Sequence, residues 1–268
     1  MSWLNGRTVE HLNSSIFVKF FNISTIKLKN LFTTHYLQFT KKLFAFTLAE
    51  TLIVMGVIGV VAALTLPNLN SSTNNKEKVA KVKKIYQNLD DAFGRATAVY
   101  GPYEEWPATD SIQESNLIYN RLKEFMKISK DCGTESSGCF DKYKISSYYI
   151  DEEVNINGPS LILSDGTALA IMGTSVSVDI DGPNNGTGTL GKDVFLFEIE
   201  QDDNGNYTIK PEGFGFSSSG ILRNCLKYRL RCTAWVINNG NMDYLYADEN
   251  GKCENSNVTL SETVTSCN

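Results

Sequence analysis

Residues 46–66 read FTLAETLIVMGVIGVVAALTL, with Glu50 the single charge in the run. As a helix rising ~1.5 Å per residue, the segment spans roughly 31 Å, about the hydrocarbon thickness of a bilayer. Its β-branched content does not argue for a strand, because in lipid only a helix satisfies its own backbone unaided. Pro67 follows at once, where it predicts a kink or an end to the span. A secretory signal peptide carries a shorter apolar region of ~7–15 residues before a small-residue cleavage site. Here the run is longer, and a helical pattern continues past it. The simpler alternatives are a plain signal anchor or a buried core helix.

Charge and cysteine follow the same division. Residues 1–45 hold both histidines, His11 and His35, with six basic side chains and one acid, Glu10. All six cysteines lie beyond residue 130. Without the first 45 residues the chain carries 19 basic and 29 acidic side chains, a net charge of -10 against -5 for the whole, and no histidine. A Ser-His-Asp triad, a Cys-His pair and a histidine-bearing zinc site are then excluded. Lysine, carboxylate or metal chemistry stays open, but no local motif supports it, so the expectation is a protein that is not an enzyme. So acidic a chain is also a poor binder of polyanions, which argues against nucleic acid as a partner.

The run Lys41-Lys42-Leu43-Phe44-Ala45-Phe46-Thr47-Leu48-Ala49-Glu50 resembles the processing site of type IV prepilins and type II secretion pseudopilins. In that family a prepilin peptidase cuts before a Phe or Met, and the new N-terminus is methylated. An acidic residue stands fifth from the cut and often a proline twenty-second. Counted from Phe46, Glu50 is fifth and Pro67 twenty-second. The resemblance implies cleavage between Ala45 and Phe46 and methylation of Phe46, with Ala45 standing where the family has Gly. It covers about 55 residues. The 45-residue leader is longer than many in the family, and its only methionine is Met1; segment 1–45 is expected to be removed, or never made if translation starts near Lys41. A carboxylate in hydrocarbon costs at least ~2.5 kcal/mol and normally has a partner. The resemblance makes that partner of Glu50 the Phe46 amine of a neighbouring subunit. Ala49, Gly56, Gly59 and Ala63 fall near one face, where small residues let helices approach closely.

After a polar break at 68–75, Val79, Val82, Tyr86, Leu89, Phe93, Ala96 and Tyr100 recur in steps of three and four, an amphipathic stripe ended by Gly101-Pro102. A shorter helix is expected from Asp110 to Lys127. Strands are expected at 144–150, 160–163, 167–172, 176–180, 194–199, 207–209 and 234–237, with Ser164-Asp165-Gly166 as a hairpin turn. The fold class is α+β: a long N-terminal helix, half membrane and half amphipathic, packed on an antiparallel sheet head in a pilin-like way. The expected parts are a leader at 1–45, a transmembrane helix at 46–66, a stem helix at 67–100 and a disulfide-tied head at 101–268.

Cys132, Cys139, Cys225, Cys232, Cys253 and Cys267 form an even set with fifteen formal pairings. Short separation favours 132–139, 225–232 and 253–267, and pilins often close their terminal region with a disulfide. No CxxC is present, which argues against zinc, and disulfides would place the head outside the cytoplasm. Asp179, Asp181, Asn184 and Asp193 sit in a Gly-bearing, Asp/Asn-rich loop and are the candidate ligands for a hard cation such as calcium. Similar loops in some major pseudopilins hold calcium. A plain Asp/Asn/Gly turn is the alternative. Arg223, Lys227, Arg229 and Arg231 form a basic run, read as a solvated face or a local surface- or DNA-binding patch.

The resemblance implies a structural filament subunit, inserted in the inner membrane with its head outside, then polymerised. Its partners would be like subunits, the prepilin peptidase and methyltransferase, and the inner-membrane assembly platform. The alternative is a membrane-anchored extracellular binding module that uses a prepilin signal.

Overall fold

The computed structural model describes residues 48–134, 138–183, 185–202 and 204–267, with side chains throughout except at 62–73. The chain divides into two units, Met1–Val54 and Met55–Asn268. The described part of the first, residues 48–54, is helical; the sheet, the core and the loop site described below belong to the second. Helix α1 (Leu48–Tyr100) is helical through Pro67 and through 68–75, where the sequence suggests a stop and a break. Asn and Ser each lower helix propensity by less than ~1 kcal/mol, and the 68–75 stretch has neither Gly nor Pro. Pro67 removes one ladder donor without ending the helix. Among the described residues no helix is long and apolar enough to cross a membrane. Of the expected 46–66 span, only Leu48–Val61 is described with its side chains.

The amphipathic stripe is buried from Val79 to Ala96, with Tyr86 half-buried, and its last residue, Tyr100, is exposed. Val79, Val82, Leu89, Phe93 and Ala96 lie in the core, joined by Ile85 and Ala92, which widen the stripe. Helix α2 (Ser111–Lys123) begins at Asp110, whose carboxylate accepts from the backbone N–H of Ile112 and Gln113 at 3.0 and 2.8 Å. This caps donors that a helix start leaves free. α2 buries Ile118, Tyr119 and Leu122 and leaves Ile112 exposed.

Six strands form one antiparallel sheet: β1 (Ile128–Asp131), β4 (Ser160–Leu163), β5 (Ala168–Met172), β6 (Ser175–Asp179), β7 (Val194–Gln201) and β8 (Tyr207–Pro211), in the order β1-β4-β5-β6-β7-β8. The turn at Ser164-Asp165-Gly166 joins β4 to β5, with Gly166 at φ 88°. A separate hairpin pairs β2 (Lys142–Ser146) with β3 (Asp151–Asn155). Both sheet faces are covered. Leu169, Ile171, Val176, Val178, Phe195 and Phe197 meet α1 and α2 in the larger core, while Ala168, Ala170, Val194 and Leu196 meet Tyr143, Ile145 and Phe140 in the smaller. This is the two-residue alternation of a strand, filled on both sides.

One expectation is corrected. Residues 234–237, read as a strand, lie inside helix α4 (Cys232–Asn239). An apolar run of four residues cannot by period distinguish a strand from a buried helical turn. Helix α3 (Ser218–Tyr228) was not expected; Ser217 caps it, and Ile221, Leu222, Cys225 and Leu226 face inward. β1 and β3, ISKD and DEEVN, are too charged to read as strands and lie at edges, where charge discourages further pairing.

The structure pairs Cys132 with Cys139, Cys225 with Cys232 and Cys253 with Cys267.

Candidate functional site

The best-built polar site is the loop between β6 and β7. Asp179 ends β6 and pairs in register with Val194, so Asp193 is carried to the same end of the sheet. The backbone N–H of Lys192, Asp193 and Val194 all donate to the carbonyl of Thr189, which folds the loop back on itself. Gly182 sits at φ 79°, and a Cβ there would stand 2.4 Å from the Gly166 carbonyl oxygen. Only glycine meets both conditions.

Into this loop comes Lys78 from α1, itself almost fully buried. Its ammonium lies 3.1 Å from Asp181 Oδ2, is bonded to Asp193 Oδ1, and reaches the Lys192 carbonyl at 3.5 Å. Asp193 Oδ2 accepts from the Thr187 N–H at 2.8 Å and from the Thr187 hydroxyl. Asp181 Oδ1 faces Lys81, one helical turn on, at 3.6 Å. Asp179 Oδ1 accepts from the N–H of Asp181 and of Gly182, both at 3.1 Å.

Electrostatics follow the geometry. Burial alone would raise the Asp193 carboxyl, but the hydrogen bonds from Lys78 and Thr187 hold it below the ordinary range. Burial would lower the Lys78 ammonium, and its bonds to Asp193 and Asp181 outweigh that and raise it. Among the described residues no ammonium is in contact with Asp179, and burial pushes it up to about 7 despite its two backbone bonds.

The structure therefore gathers Asp181 and Asp193 around one lysine, with Asp179 beside them; Asn184 lies outside the described residues. A calcium ion takes six to eight oxygens. Here both oxygens of Asp181 and both of Asp193 already have partners, and an ammonium stands between the two carboxylates. Among the described residues no group of three His, Cys, Asp or Glu could hold a metal ion. The side chains present fit a lysine better than a metal. Lys78 and Thr187 carry no signal of this in the sequence, where Lys78 reads as a solvated lysine beside the stripe.

The basic run does not form one patch. Arg223 is exposed. Lys227 is half-buried in the last turn of α3. Arg229 donates to the carbonyls of Ser146 and Tyr244, both at 3.4 Å. Arg231 lies over the Phe216 ring and gives its backbone N–H to Glu212.

Of the expected processing and assembly residues, Ala45 and Phe46 lie outside the described residues, as do the side chains of Ala63 and Pro67. Ala49, Glu50, Gly56 and Gly59 lie exposed on α1. Leu52, Ile53, Val54, Met55, Val57, Ile58, Val60 and Val61 are each more than half exposed, so the outward side chains of this stretch are mostly apolar. No protein-family model, curated protein or solved structure matches the chain.

Proposed function

We propose that the chain is a structural subunit of a type IV pilus-like or type II secretion pseudopilus-like filament. It is cut before Phe46, methylated there, held in the inner membrane with its head outside, and polymerised through its apolar helix. The observation that carries this reading is the run of exposed Leu, Ile, Val and Met side chains on α1 between Leu48 and Val61. A helix whose outward side chains are mostly apolar requires lipid or other helices as its surroundings. The prepilin-type register of Phe46, Glu50 and Pro67 supports the filament in particular. So does the way the later part of α1 packs its stripe on an antiparallel sheet. No catalysis is assigned; the chain is a substrate of its peptidase and methyltransferase, then a packing element.

Mass spectrometry of the mature N-terminus tests the reading. N-methylated phenylalanine at position 46 is the expected result, and an intact leader on the assembled or membrane-bound protein overturns it.

A second reading, an anchored module that binds an extracellular surface or polymer, draws on three clustered tyrosines. Tyr148 and Tyr149 at the tip of the β2–β3 hairpin are exposed, and Tyr149 lies 5.6 Å from the Tyr228 ring. Loss of surface adhesion with filaments intact in a Tyr148→Ala, Tyr149→Ala variant would favour it.

A further inference from the structure

We infer that Lys78 is the resident cation of the β6–β7 loop: its ammonium stands where the aspartate-rich sequence calls for a metal ion, and it makes the loop independent of calcium. The inference does not depend on the filament reading.

Three observations carry it. First, the positions of charge match. Two carboxylates, Asp181 and Asp193, face two ammonium groups, Lys78 and Lys81, which lie three residues apart on one side of α1. Second, among the described residues the oxygens of Asp181 and Asp193 are already taken. Lys78 Nζ meets Asp181, Asp193 and the Lys192 carbonyl, while the outer oxygens of the two carboxylates are taken by Lys81 and Thr187. A divalent ion placed between Asp181 and Asp193 would have to expel the ammonium. Third, the lysine is built in: Lys78 is 7% exposed and Asp193 1%. A buried charge is tolerated only when paired and hydrogen-bonded.

The lysine does one thing a free ion cannot. It belongs to α1, 115 residues from Asp193 in the chain, so closing the loop also fastens it to the helix. A metal-held loop would be tied only to itself.

The consequence is chemical and specific. In a Lys78→Ala variant, Asp193 and the carbonyl of Lys192 lose their cation, and Asp181 keeps only Lys81 at 3.6 Å. They become an oxygen set of the class that calcium takes. The test is thermal unfolding of the full chain in detergent, with calcium chloride or with chelator. The wild-type melting temperature is expected to be the same in both. Lys78→Ala is expected to melt roughly 10 °C lower in chelator, the size expected when a buried pair loses one partner, and to regain several degrees with calcium. Lys78→Arg, which keeps the positive charge, is expected to be indifferent to calcium. Should Lys78→Ala be recovered unfolded, its refolding yield with and without calcium is the same readout. A calcium-induced rise in the wild type overturns the inference, and so does a Lys78→Ala chain that calcium does not help.

Discussion

The ring of Tyr86 on α1 stacks on that of Phe197 on β7, with centroids 5.8 Å apart and planes 9° from parallel. Phe197 is fully buried while Tyr86 is half-buried. The pair marks where the helix stripe meets the sheet. Phe197→Ala is expected to cost about 3–5 kcal/mol, the range for truncating a fully buried phenylalanine. Ile112→Ala, at a site 72% exposed, should stay within about 0.5 kcal/mol of wild type. Urea unfolding midpoints compare the two directly; equal costs would contradict the packing described.

Helix α2 rests on a single capping carboxylate. Replacing Asp110 by Ala leaves the N–H groups of Ile112 and Gln113 without their acceptor and should destabilise by about 1 kcal/mol. Asp110→Asn, which keeps an oxygen, should recover most of that loss in the same unfolding assay.

Glu198 shifts in the opposite direction from Asp193. Burial, the bond to Glu200 and the charge of Glu212 push it up to about 7 from an ordinary 4.5. The folded chain therefore holds a proton there that the unfolded chain has released, and this contribution to stability is lost as pH rises from about 4.5 to about 7. Glu198→Gln removes the dependence. Its melting temperature relative to wild type should rise steadily across that window, and a constant difference would refute the assignment.

The Cys253–Cys267 disulfide closes a loop of sequence separation 14 near the end of the chain. Changing both cysteines to serine should cost about 3 kcal/mol by the loop-entropy argument. Denaturant unfolding measures the cost, and non-reducing peptide mapping of wild type should recover 253 joined to 267.

Glu50 is exposed on α1 among apolar neighbours. On the filament reading, Glu50→Val should leave membrane insertion intact, since it removes a charge from an apolar stretch, yet abolish incorporation into filaments. Fractionation together with counting of sheared filaments checks both halves. Normal incorporation would show that the carboxylate plays no part in assembly.

Local patterns in the sequence determined several elements. The three-and-four spacing from Val79 to Ala96 marks a helix face, because 3.6 residues per turn return each of those side chains to the same side. Ser164-Asp165-Gly166 between two apolar runs marks a hairpin, because only a few residue types tolerate the turn's dihedrals. The alternation along Ala168–Met172 and Val194–Ile199 was weaker, since both sheet faces are filled and polar residues are nearly absent. The apolar run at 234–237 was ambiguous, and only its packing against β7 and β8 resolved it as helix.

The loop at Asp179–Asp193 shows the division most plainly. Its acidic, Gly-rich composition announced a place that needs positive charge, and that much is local chemistry. Which cation answers the need depends on a residue 115 positions away in the chain. Lys78 has the composition and neighbours of any solvent-facing lysine. It becomes a buried partner only because α1 lies across the sheet end where β6 and β7 bring Asp181 and Asp193 together. No spacing rule spans that separation, so the tertiary structure alone decided it.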